Sequence, residues 1–425
     1  MSAIITEKFR QHNADQFVES FTETSNSTYY LFVGKATAYT SSTTGGSDST
    51  PPAPADAPGD TEFYAWDSML AAKNVTSSDV SYAIPRRNWA NGDTYDMYDD
   101  DISSSSTTTS GASNLYDSTF YFMTSDYRVY KVLDNNAGAA YSGAEPTSES
   151  TSPFELGGYV LKYMYQVTTS EAAKYLTSDF IPVSNDSTIT AAATDGGIES
   201  LKITAGTGYT NGTYYAAIYG DGTSAGTSSG GIVRITVSGG VIQSFGLTAG
   251  SDTTLHAGGA AYTFGTVNLA SGYTFSDSGL SSTSAIGGSG GAIEVVISPK
   301  NGHGFSAIKE LGGHYVMTAT TLTQAENDDI TTSNDFRQVG LVVDPTTYGT
   351  STVASSSTAR QTYVIKASSV SGTFEVDEKI TQATSGAVGK VVEYDSTLSL
   401  LYYQQERFGD FGTNSTTGDH SVFTG

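Results

Sequence analysis

Residues 119–133 read TFYFMTSDYRVYKVL. Aromatic and β-branched residues alternate with others on both sides of a Ser-Asp pair, the spacing of two strands joined by a turn, so the stretch predicts a hairpin. The same texture recurs outward along the chain. YYLFVGKATAY (29–39) and GGYVLKYMYQV (157–167) read as strands, and NDFRQVGLVVDP (334–345) carries a buried strand, GLVV, ended by Asp-Pro. GTFEVDEKITQATSGAVGKVVEYDSTLSLLYYQQ (372–405) divides into three or four short strands. With 46 Gly, 28 Tyr and only 15% charged residues, the composition points away from helical bundles toward short strands joined by many turns. The expected fold class is mainly β with a few short helices.

Helical spacing is rarer. Phe17, Val18 and Phe21 suggest a short helix over 10–21, after a short strand at 3–9. Phe63, Trp66, Met69 and Leu70 share one face of a helix expected at 62–73, and 169–176 reads as a third helix. Residues 41–60, rich in Pro, Gly, Ser and Asp, read as an exposed loop. Near residue 190 the chain turns to Gly, Ala, Ser and Thr with few charges. Inside that segment ESLKITAG (199–206) matches QSFGLTAG (243–250), and GGIVRITVSGG (230–240) resembles GGAIEVVISPK (290–300), which suggests repeated strand and glycine-turn units. The expected organisation is a core in two parts, 1–190 and 292–370, interrupted by an all-β Gly-rich insertion at 191–291 and followed by a small β module at 371–425.

The net charge of -24 creates a field that repels phosphate backbones and anionic membrane surfaces, so nucleic acid and membrane are not expected partners. The absence of cysteine removes disulfide scaffolds, thiolate metal sites and cysteine nucleophiles, and fits maturation in a reducing cytoplasm. No apolar h-region opens the chain and no stretch approaches the length of a membrane helix. His303, Glu310 and His314 offer metal-ligand types, but the spacing is not that of a metalloprotease helix, and both histidines adjoin glycine; they are expected to be turn or surface residues. The run Asp99, Asp100, Asp101 reads as a solvated acidic loop or a weak cation site. No G-x-S-x-G elbow, phosphate loop or calcium loop is present, so no catalytic residue, metal or cofactor is expected.

What remains is YAIPRRNW (82–89), two adjacent arginines in an acidic chain. Pro85 fixes its own φ and aims Arg86 and Arg87 in a defined direction, while Trp89 offers a face for guanidinium stacking. The expected role is pinning acidic groups within the subunit, with a subunit contact as the alternative.

IITEKFR (4–10), YYLFVGKATAY, YAIPRRNW, VYKVLDNN (129–136), GYVLKYMYQV and NDFRQVGLVVDP, taken in order, resemble the dimeric baseplate wedge subunit of contractile-tailed phages of the T-even type, as a marine or cyanophage relative. The resemblance covers residues 3–185 and 298–347, and the Gly-rich segment and the C-terminal module depart from it. It implies a core of two-layer β-sandwich domains without enzymatic activity. It further implies a homodimer that bridges other wedge subunits in the virion tail, assembled in the host bacterial cytoplasm and rearranging on host attachment. Pro85, Arg86, Arg87, Trp89, Phe336 and Arg337 are then the structural or interface candidates. The rival readings are a receptor-binding or tail-fibre protein with β repeats and, more remotely, a glycan-degrading enzyme.

Overall fold

The computed structural model describes residues 5–36, 38–39, 46–53, 69–227, 229–269, 275–277, 280–282, 286–322, 336–347, 350–355, 358, 362–405, 421 and 423–424. The fold is mainly β, built from several antiparallel sheets and a few short helices. It divides into two compact units, Met1–Asn26 with Ser77–Ala319, and Ser27–Thr76 with Thr320–Gly425.

The hairpin read from 119–133 forms the heart of the first unit. Tyr121 pairs with Lys131, Phe122 with Tyr130 and Met123 with Val129, and the turn closes with Tyr127 at a φ of 63° donating its amide to Thr124. The strand Arg128–Asp134 then pairs with Tyr159–Gln166, which pairs with Phe154–Leu156, to complete a four-stranded sheet. This sheet is buried on both faces, which is why its two long strands read as nearly unbroken apolar runs. One face packs Met123, Val129, Met164 and Tyr165 with Ile84, Ile181 and Val183. Those last three belong to a second sheet ordered Tyr315–Thr318, Val80–Pro85, Phe180–Val183. The other face packs Tyr130, Val132, Tyr159 and Leu161 against Tyr95, Tyr141 and Ile189.

The Gly-rich segment is anchored by a long antiparallel ladder between Ser200–Tyr209 and Gly287–Val296. Gly206 sits there with a φ of +59°, and a Cβ on it would lie 2.4 Å from the Gly291 nitrogen, so the ladder admits no side chain at that position. The two similar runs at 230–240 and 290–300 both contribute to strands, Ile232–Ser238 and Gly287–Val296. The other pair does not behave as a repeat: 199–206 feeds the long ladder, whereas around 243–250 only isolated bridges at Phe245 and Ala249 form. Its apolar residues, including Tyr214, Ile235 and Ile293, share a core with Leu133 and Val160 of the central sheet.

Helices depart from expectation where caps or pairing outweigh apolar spacing. The first helix spans Glu7–Glu19, so 7–9 is helical rather than extended; Thr6 caps it by accepting the Phe9 amide, and only Ala14 is fully buried, which explains its faint pattern. Residues 62–68 of the helix expected at 62–73 lie outside the described residues, and Met69–Val75 is a strand, held by pairing with Tyr29–Gly34. Thr169–Tyr175 is helical as read, opened by a capping box between Thr168 and Glu171. Among the described residues no helix is long and apolar enough to cross a membrane.

In the second unit, Tyr29–Gly34 lies between Met69–Val75 and Gln338–Val343. A separate four-stranded sheet is ordered Tyr363–Lys366, Leu400–Gln404, Ala387–Asp395, Lys379–Gln382.

Ile84 is 0% exposed between the two sheets of the first unit, whereas Val376 is 69% exposed. Ile84→Ala should therefore cost about 2–5 kcal/mol in denaturant titration, while Val376→Ala should stay within about 0.5 kcal/mol.

Candidate functional site

YAIPRRNW joins two sheets. Up to Pro85 the chain runs as a strand paired with Phe180–Val183, and the Arg86 amide continues that edge by donating to the Asp179 carbonyl at 2.8 Å. One residue later the chain changes partner. The Met123 amide donates to the Arg87 carbonyl and the Trp89 amide to the Met123 carbonyl, each at 2.8 Å, a parallel bridge onto the edge of the central sheet. The Tyr121 hydroxyl reinforces it by donating to the Pro85 carbonyl at 2.7 Å.

The side chains follow that geometry, and neither arginine pairs with a carboxylate among the described residues. Arg86 donates from Nε to Asn88 Oδ1 at 2.9 Å and from Nη1 to the Thr177 carbonyl at 2.7 Å. Arg87 lays its guanidinium over the Tyr121 ring, 4.5 Å from the centroid, and donates from Nη2 to the Tyr116 carbonyl at 3.0 Å. Among the described residues Trp89 receives no guanidinium; it meets Tyr141 edge-on at 5.8 Å. The expected pinning of acidic groups is thus replaced by pinning of backbone carbonyls on neighbouring segments, Thr177 and Tyr116, which a fork of N–H donors can satisfy. Phe336 and Arg337 lie in the second unit, where Arg337 donates from Nε to Asp48 at 2.9 Å and its carbonyl accepts the Tyr39 hydroxyl. The Asp48 carboxyl is held below its ordinary range, first by the Tyr39 amide and then by Arg337.

A buried ion network in the first unit brings together residues that the sequence reading had left at the surface. Lys131 is fully buried at the centre of the central sheet, and its Nζ lies 2.9 Å from Glu310 Oε2 and 2.8 Å from His303 Nδ1. Its ammonium also sits 3.9 Å over the Tyr98 ring, and His303 meets that ring edge-on. Glu310 Oε1 accepts the amides of Gly304 and Ser306 at 2.8 and 3.2 Å. One strand away, Lys162 is buried with both Glu199 oxygens at 3.1 and 3.2 Å. A lysine ammonium only donates, so Nδ1 of His303 accepts and the ring is neutral. Burial, then the charges of Lys131 and Lys162, hold the His303 pKa well below its ordinary value. Burial pushes Lys131 down against the pull of Glu310, and pushes Glu199 up against Lys162.

His303 is a turn residue, as read, but a buried one and not a surface group; Glu310 is buried beside it, and a lysine supplies the cation that a metal site would need. His314 stands apart, partly buried, with Nδ1 at 3.3 Å from Glu7 Oε2. The acidic run, read as a solvated loop or weak cation site, keeps Asp100 and Asp101 exposed and gathers its charges on a lysine: Lys202 lies 2.6 Å from Asp99, 3.3 Å from Asp101 and 2.9 Å from Glu294, while Asp100 accepts the Ile297 amide at 2.8 Å. These carboxylates tie the loop to the base of the long ladder while Asp100 and Asp101 stay exposed. Lys131, Lys162, Glu199 and Lys202 escaped sequence reading. The available signal was a single lysine inside an apolar strand, YKV at 130–132 and LKY at 161–163.

Lys131→Ala strands Glu310 without its cation and should cost about 3–5 kcal/mol, whereas Lys131→Met combined with Glu310→Leu should recover much of that loss in chemical denaturation. Asp134 ends the same strand; burial raises its pKa to about 6 even though it accepts the Asn136 amide at 2.8 Å. A carboxyl that binds its proton more tightly when folded adds stability below its unfolded pKa and loses it as pH rises through the folded value. Asp134→Asn should therefore gain on wild type by up to about 2–3 kcal/mol between pH 4 and 7, read from paired denaturation curves.

A family model described as Phage-Gp8, Bacteriophage T4, Gp8, matches residues 3–145, about a third of the chain. The matched part includes the first helix, YAIPRRNW and the central hairpin; Lys162, Glu199, His303 and Glu310 lie outside it. A search of the curated proteins returns no match. Over the matched residues the chain is similar to a structural baseplate protein of a T4-type phage, and that similarity supports a place in the virion tail and a non-enzymatic role.

Proposed function

We propose that this chain is a structural subunit of a contractile-tail baseplate wedge, present as a homodimer, bridging neighbouring wedge proteins and rearranging with them on host attachment. The single observation that carries the reading is the family match over residues 3–145, which spans the stretch that joins two sheets of the first unit. The physics of the site agrees with a load-transmitting part. Pro85, Arg86, Arg87 and Trp89 are spent on backbone carbonyls and ring contacts inside the subunit, so their role is to hold one sheet against another. Phe336 and Arg337 are the candidates for contact with neighbours. A protein that must hold its neighbours in one state and release them in another is served by polar, charge-assisted contacts, and the net charge of -24 suits partners with basic patches.

The Gly-rich residues 191–291 lie beyond the family match and share their core with the central sheet, which supports a fixed extension of the wedge body over a free fibre. The reading places assembly in the host cytoplasm before the tail is complete.

Imaging of purified virions by electron microscopy, with this chain labelled, should show paired copies repeated around the six-fold ring of the tail tip. Label confined to the tips of fibres would overturn the wedge reading in favour of a receptor-binding protein.

A further inference from the structure

The strand Gln338–Val343 of the second unit pairs with Tyr29–Gly34, and among the described residues no strand pairs with its other edge along Val339–Val343. Its sequence, QVGLVV, alternates so that Val339, Leu341 and Val343 share one face, and they are 63%, 37% and 51% exposed. The backbone favours an added strand. The Asp344 amide donates inward to the Thr28 carbonyl, and alternation along an antiparallel ladder then turns the N–H and C=O groups of Val343, Leu341 and Val339 outward. None of the guards that usually blunt an edge is present: Gln338–Val343 holds no lysine, no proline and no charge of either sign.

The pattern is also self-complementary. Val339 and Val343 stand symmetrically about Leu341, so an antiparallel copy related by a two-fold axis at Leu341 sets Leu341 beside Leu341 and Val339 beside Val343. Arg337, which precedes the strand, is already paired with Asp48, and Asp344, which follows it, accepts the Thr28 amide through Oδ1, so the antiparallel sense rests on the symmetry of Val339 and Val343 about Leu341. In a chain of net charge -24, an uncharged edge is where two copies can approach without repulsion.

We infer that the Gln338–Val343 edge is the seam of the homodimer, closing two three-stranded sheets into one of six strands across a two-fold axis at Leu341. The inference rests on the homodimer reading above and adds where the copies meet.

The chain has no cysteine, so an introduced thiol reports on a clean background. Directly opposed residues of an antiparallel pair lie about 4.5–5.5 Å apart at Cα, within the reach of a disulfide. On mild oxidation Leu341→Cys should give a covalent dimer while Val376→Cys gives none. In sedimentation, wild type should be dimeric and Leu341→Lys should raise the Kd by about a hundredfold or more, with an unchanged far-UV circular dichroism spectrum. A dimer that survives Leu341→Lys and does not cross-link through Leu341→Cys would overturn the seam and leave the homodimer standing. A wild-type chain that is monomeric at every concentration would overturn both.

Discussion

The exchange of amides and carbonyls between Met123 and the Arg87–Trp89 segment is the constraint on which the first unit depends. At that point a strand leaves one sheet and joins the edge of another, so the backbone must satisfy two partners within three residues. A hydrogen bond of this kind adds only about 1 kcal/mol net, but leaving it unmade in the interior costs about 1–3 kcal/mol. Pro85 aims the chain, Tyr121 holds the Pro85 carbonyl, and Arg87 covers the Tyr121 ring while reaching the Tyr116 carbonyl. The apolar core of Ile84, Tyr121, Met123 and Ile181 forms around this junction.

The buried lysines extend the same logic to the Gly-rich segment. Lys162 meets Glu199 just before the long ladder begins, Lys131 meets Glu310 and His303 after it ends, and Lys202 gathers Asp99, Asp101 and Glu294 at its base. The buried Lys131 and Lys162 pairs add little stability over apolar residues of equal size, but a mispaired alternative leaves charges unmet in the core, so they discriminate strongly between arrangements, whereas the Lys202 contacts with half-exposed Asp101 and Glu294 add less. A segment rich in Gly, Ser and Thr has few large side chains with which to specify how it seats, and fixed charges supply that selection.

The mainly β character was legible because period-2 alternation and turn residues are local signals, as at 119–133 and 157–167. The first helix was misplaced at its start because the Thr6 cap is a single polar residue beside an apolar run. Met69–Val75 was read as helix because Met69 and Leu70 fit helical spacing, and only pairing with Tyr29–Gly34, forty residues upstream, shows otherwise. The candidate site was half legible. Arg86 and Arg87 stood out by charge, but their carbonyl partners at 116 and 177 leave no trace in composition. His303 looked exposed because glycines flank it, and its buried partner Lys131, which also meets Glu310, lies far away in sequence.

The central claim is that the Arg87–Met123–Trp89 exchange belongs to the cooperative core and is not a surface loop resting on it. Native-state hydrogen exchange of the Met123 and Trp89 amides tests this directly. The account predicts that both exchange only with global unfolding, at the free energy of the amides in the strands Arg128–Asp134 and Tyr159–Gln166. Exchange of these two amides through local opening, at a free energy several kcal/mol below that of the central strands, would contradict it.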